Sequence, residues 1–238
     1  MTRFFLSVLL VFVCLPVHAD DVLAVKIGAT DIRLSCPPGM ADIPKDNPLF
    51  HVIGDLTPDG CVLLRNCISS EALDTKKAPD PAEDILLSGT FALKDVLRDI
   101  DSGDFIDFVQ AEARQASHGV LMPQDSPFDY VESQKRLDQF QKDTGVGVED
   151  ASDVYSLGMV SRSYACVSYM EAQYVNMTAD GKTVRRKNVS IIAYLLLKKK
   201  VVLVITSLTK DTVLHDDLGI LMEAAEKYQL DLQVLNNT

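Results

Sequence analysis

The chain has 238 residues, 47% hydrophobic and 24% charged, with a formal net charge of −11. That composition excludes a disordered chain, a collagen-like repeat and a disulfide-dense miniprotein. The acidic surplus argues against nucleic acid as a partner, because nucleic-acid binders carry a basic footprint.

Arg3 is the only charged side chain before Asp20, and Pro16 closes an apolar run over residues 4–15. Val17-His18-Ala19 then leads into Asp20. A positive end, a short apolar run and a small-residue cut site predict a secretory leader over residues 1–19. As a helix the run would span about 18 Å, short of a hydrocarbon core of ~30 Å. The later apolar stretch 189–207 carries Lys198-Lys199-Lys200 in its middle, so no transmembrane segment is expected after the leader. The expected location is periplasmic or secreted.

Residues 20–238 are expected to form one α+β domain: a mostly antiparallel sheet covered by helices. Ile32 and Leu34 alternate with polar neighbours before Cys36-Pro37-Pro38-Gly39 stops the strand. Residues 49–56 and 61–68 read as a hairpin joined by Thr57-Pro58-Asp59-Gly60. Residues 71–83 read as a linker. A helical middle segment is expected at about 82–145. Phe91, Val96, Leu97 and Ile100, then Phe105, Phe108, Val109 and Ala113, fit helical faces. Residues 131–142 suggest a further helix.

From Val154 the chain reads β again. Residues 179–182 form a hairpin turn, and 189–197 and 201–208 are apolar runs suited to a sheet covered on both faces. Leu214, Leu218, Leu221, Met222, Ala225 and Tyr228 then lie on one helical stripe. Asp216 and Asp217 sit in its early turns and Lys227 near its expected end, as the helix dipole favours. This predicts a C-terminal amphipathic helix capping the sheet.

Removing the leader takes Cys14 with it and leaves Cys36, Cys61, Cys67 and Cys166 as disulfide candidates. Cys61 and Cys67 share one predicted strand, which would hold their Cα atoms ~20 Å apart, whereas a disulfide needs less than ~7 Å. Cys36 is therefore expected to bond one of them and Cys166 the other. Their even spacing would also place Cys61 and Cys67 on one sheet face.

Other signals for chemistry are weak. His51, His118 and His215 form no HExxH pair, and no serine sits in a GxSxG elbow. Counted from Asp99, a calcium loop would need Gly where Asp104 stands and Glu where Gln110 stands. Gly145 and Gly147 are too few for a phosphate loop. Arg185-Arg186-Lys187 and Lys198 to Lys200 are the basic clusters, read as solvated faces with an acidic partner or membrane surface as the alternative. Asn176, Asn188 and Asn236 each open a glycosylation sequon. No catalytic residue, cofactor or metal site is expected.

The segments Gly181-Lys182, Ala193-Tyr194-Leu195-Leu196, Lys200 to Val204 and 218–236 resemble small exported bacterial proteins of unassigned function. The opening Ile32-Arg33-Leu34-Ser35-Cys36-Pro37-Pro38-Gly39-Met40 similarly resembles the first strand of the PsbP-like α/β/α fold. That resemblance implies a non-catalytic accessory or binding module. The expected function is thus an exported, non-catalytic binding or accessory protein with an unidentified protein partner. Two alternatives stand beside it: an exported hydrolase with a dispersed triad, and a host-directed effector or envelope-stress component.

Overall fold

The computed structural model describes residues 22–44, 50, 57, 60–70, 84–94, 98–121, 146–150, 155–179 and 182–237. The expected leader, the first arm of the hairpin at 49–56 apart from Phe50, the linker at 71–83 and the helix expected at 131–142 lie outside the described residues.

The chain opens with β1 (Leu23–Ile27) and β2 (Thr30–Leu34), a two-stranded hairpin turned by Gly28 at a φ of 60°. β3 (Met40–Asp42), β4 (Cys61–Ser69) and β5 (Ile85–Leu93) follow, then helix α1 (Ser102–Leu121). Next come β6 (Val146–Asp150), β7 (Tyr155–Arg162), β8 (Cys166–Ala179), β9 (Lys182–Leu197) and β10 (Lys200–Lys210). Helix α2 (His215–Asn237) ends the chain.

The eight strands from β3 to β10 form one antiparallel sheet, ordered β3-β4-β5-β10-β9-β8-β6. β7 pairs the first half of β8 and β6 its last residues. β10 lies between β5 and β9, and its first half, Val201 to Ile205, is continuously apolar because both faces are covered there.

On one face, Ile27, Ile32 and Leu34 of the β1–β2 hairpin meet Ala193, Leu195, Val202 and Val204 of the sheet and Tyr228 and Leu232 of α2. Leu221 and Ala225 extend this layer over Met170, Ala172, Val189 and Ile191. On the opposite face, Ile100 and the α1 residues Phe105 and Val109 pack on Phe91, Leu93, Tyr194, Val201 and Leu203. Burying a Phe, Leu or Ile side chain of this kind contributes about 1.5–3 kcal/mol.

This architecture corrects the expected fold class. Strands dominate, and the sheet is not the helix-covered one with a helical middle segment. Residues 85–93, inside the stretch expected to be helical, are β5, in the body of the sheet. Among the described residues of that stretch, only Ser102–Leu121 is helical. A strand buried on both faces loses its polar alternation, so its apolar run mimics a helix in sequence. Pairing with β4 and β10 on its two sides decides the matter.

The turn at Lys198 and Lys199 places both residues at positive φ, 47° and 66°. That is the handedness a tight two-residue hairpin requires. Helix α2 runs to Asn237, so Lys227 sits in its middle rather than near its end.

Candidate functional site

The cysteines separate because of one extra residue. In β4, Leu63 pairs Phe91 and Arg65 pairs Thr90, so Leu64 is bulged out of register. A bulge reverses the alternation of side chains beyond it. Cys61 therefore faces α1 among Phe91 and Leu93, while Cys67 turns to the α2 side. There it forms a disulfide with Cys36, at a Cα–Cα distance of 5.8 Å. The second expected bridge, to Cys166, is not made: Cys166 belongs to the α2-side layer and Cys61 to the α1-side layer. Burial pushes the Cys166 thiol up to about 11, and the thiol donates to Gln229 Oε1 at 3.2 Å.

Arg65 braces the same corner. Its guanidinium grips Asp42 with two bonds, Nε to Oδ1 at 3.1 Å and Nη2 to Oδ2 at 2.7 Å. Nη1 donates to the Leu34 carbonyl. Tyr228 donates to the Ser35 carbonyl at 2.8 Å and lies 3.1 Å from Thr90 Oγ1. Cys36, Asp42 and Cys67 bring three potential metal-ligand atoms together. The two sulfurs are joined to each other and the carboxylate is committed to Arg65, so the oxidised corner is a brace rather than a metal centre.

The basic clusters do not form open patches. Arg186 is buried, with Nη2 3.1 Å from Asp84 and Nε 3.1 Å from Asp211. Arg185 is exposed and lies over the Tyr174 ring, 4.4 Å from its centroid. Lys199 and Lys200 pair with Asp101 and Asp99 at 2.9 and 2.7 Å. Those pairs occupy Asp99 and Asp101, at the start of the stretch compared with a calcium loop.

His215 is exposed at the start of α2. The positions of His51 and of the His118 side chain lie outside the described residues. Of the sequons, Asn236 is buried and Asn188 accepts from Thr209 Oγ1 at 3.3 Å.

A row of polar groups crosses the sheet on the α1 side. Glu171 of β8 stands opposite Ser190 of β9, and Ser190 opposite Ser207 of β10. The two serine hydroxyls are 2.7 Å apart. In the next row, Thr209 and Asn188 are hydrogen-bonded. Tyr169 and Tyr194 bound the row on its apolar side; burial raises Tyr169 and pushes Tyr194 up to about 12. Burial also raises the Glu171 carboxyl, so its neutral form is favoured. Glu171, Ser190, Ser207, Asn188 and Thr209 are all half-buried. These side chains offer hydroxyl donors, acceptors and one carboxyl on a rigid sheet. The serines satisfy each other, and among the described residues no histidine is bonded to either hydroxyl.

This row escapes a pattern reading. Its only sequence signal is a serine inside each of two apolar runs, Ser190 and Ser207. Arg65 likewise signals itself only as a charge within a predicted strand.

No protein-family model matches the chain, and no curated protein matches it. LpqN, involved in cell envelope biogenesis of Mycobacterium tuberculosis, has a solved structure that aligns over 73% of this chain and 77% of its own, at 13% identity and a TM-score of 0.24. An uncharacterised protein from Rhizobium leguminosarum aligns over 65% of this chain and 95% of its own, at 11% identity and a TM-score of 0.21. At TM-scores this low neither likeness bears on the role of this chain, and the PsbP-like resemblance has no family match behind it.

Proposed function

We propose that the chain is an exported, non-catalytic binding or accessory protein that engages a polar ligand or partner at the Glu171–Ser190–Ser207 row. The leader pattern over residues 1–19 supports export. So does the Cys36–Cys67 disulfide, because such bridges persist in oxidising compartments. The observation that carries the binding reading is the half-open polar row itself. On one side it adjoins the apolar residues Tyr169, Ile192 and Ile205, which pack into the layer under α1, and on the other the polar Asn188–Thr209 pair. Polar groups on a half-buried sheet face cost desolvation unless hydrogen-bonded, and a ligand would bond the Glu171 carboxyl and the serines' remaining lone pairs. The PsbP-like resemblance points the same way, towards an accessory module.

A photo-crosslinking residue placed at Ser207 tests this in the native compartment. Adducts at Ser207, absent from a control at the exposed Val62, are the expected result. Adducts at neither position, or equally at both, overturn the binding surface. Labelling of Ser190 or Ser207 by a serine-hydrolase probe overturns the non-catalytic reading in favour of the hydrolase. N-terminal sequencing of the accumulated protein should begin at Asp20; a retained leader removes the export claim.

A further inference from the structure

We infer that the outer face of α2 is a self-association surface for a second copy of this chain, packed antiparallel. The inference stands apart from the polar row, which lies on the opposite side of the sheet.

Helix α2 buries Leu221, Ala225, Tyr228 and Leu232 against the sheet. Its outer side is not uniformly polar. Ile220, Leu230 and Val234 are exposed by 62%, 58% and 58%. With Asp216, Glu223 and Lys227, they follow one another at steps of four, three, four, three and four. That is the spacing of a two-helix seam, where a single stripe faces a partner helix. A shallow depression of about 530 Å³ runs along it, lined by Gly219, Met222, Glu223, Glu226, Lys227 and Leu230. Among the described residues neither Glu223 nor Lys227 is in an ion pair.

Charge decides the occupant and its direction. Place a second helix antiparallel, with the two-fold axis crossing the outer face midway between Glu223 and Lys227. Each Glu223 then faces Lys227 of the second copy. Each Ile220 faces Leu230 of the second copy, and each Asp216 faces Val234. Two-fold symmetry repeats every pair. A parallel arrangement sets Glu223 on Glu223 and Lys227 on Lys227. A slip of one heptad sets Lys227 on Leu230 and Glu223 on Val234. The register centred midway between Glu223 and Lys227 matches Glu223 with Lys227 and Ile220 with Leu230, and leaves Asp216 against Val234 only at the two ends of the seam. Like-charge contacts across an interface are disfavoured enough to set register and orientation.

Sedimentation equilibrium on the native processed protein tests this. The wild type is expected to dimerise. Glu223→Lys alone and Lys227→Glu alone are each expected to weaken the dimer by about tenfold or more, since each makes two like-charge layers. The double variant Glu223→Lys/Lys227→Glu restores it, because both layers are simply reversed. An equimolar mixture of the two single variants forms a heterodimer, its layers again matched. All these side chains are exposed, so the rescue separates an interface effect from a folding defect. A wild type that is monomeric at about 1 mM overturns the inference. So does a dimer insensitive to the single reversals, or one that the double variant does not recover.

Discussion

Asn236 closes the protein by imitating a strand: its amide pairs with both backbone groups of Arg33, 203 residues away. Arg33 N–H donates to Asn236 Oδ1 at 2.8 Å, and Asn236 Nδ2 donates to the Arg33 carbonyl at 2.8 Å. The same Nδ2 also donates to the Leu232 carbonyl. One side chain thus ties α2 to the edge of the β1–β2 hairpin.

Asn236→Ala should therefore destabilise the protein by about 1–3 kcal/mol, because it strips partners from the part-buried backbone groups of Arg33 and the buried Leu232 carbonyl. Asn236→Asp should be no milder, since a carboxylate cannot donate to the Arg33 carbonyl. Urea unfolding of the three proteins checks this, and an unchanged midpoint for the alanine variant would contradict it. The same burial predicts that the Asn236 sequon carries no glycan in the folded state, which intact mass measurement can read.

The Cys36–Cys67 bridge closes a separation of 31 residues. Chain-entropy restriction over such a loop is worth about 3–4 kcal/mol. Cys36→Ser with Cys67→Ser should lower unfolding stability by that order in denaturant titration. Non-reducing peptide mapping should recover a Cys36–Cys67 peptide and no link between Cys61 and Cys166. Both of those thiols are buried, and Cys166 titrates near 11, so alkylation at neutral pH should need prior unfolding.

Glu171 makes a pH prediction. Burial raises its folded pKa above the ordinary 4.5, so between those values the folded state binds more protons than the unfolded one. Stability then falls as pH rises through this window. Glu171→Gln should be more stable than the wild type at neutral pH, and the difference should vanish below about pH 4.5. Thermal melts from pH 4 to 8, where the two curves ran parallel throughout, would count against a buried Glu171.

Gly89 sits where β5 passes under its own aromatic ring. A Cβ at Gly89 would lie 2.6 Å from Phe91 Cζ, and Phe91 is only 4% exposed. Gly89→Ala should cost about 1–3 kcal/mol by overpacking. Adding Phe91→Leu should make the second change less harmful than it is alone. Thermal melts of the double-mutant cycle measure that coupling.

Much of the scaffold is legible locally. The apolar runs at 189–197 and 201–208 announce β9 and β10, and the lysines between them announce a turn. The periodicity of Leu221, Ala225 and Tyr228 announces α2. Residues 85–93 are different. Their local pattern suits a helix as well as a strand, and only β4 and β10 on their flanks make them β5. The basic triplet at 185–187 misleads for a related reason. Adjacent strand residues face opposite ways, so Arg185 reaches the surface while Arg186 is buried against Asp84 and Asp211.

The sequence by itself determined what depends on composition and near neighbours: turn positions, helical periodicity, the overall acidic surplus, and which residues can be cross-linked. The tertiary structure alone decided which side chains meet. Face assignment in a strand follows parity, and one bulged residue, Leu64, reverses it for everything beyond. That reversal takes Cys67 to Cys36 and leaves Cys61 on the far side of the sheet from Cys166. No local pattern encodes it, because the bulge exists only in register with β5.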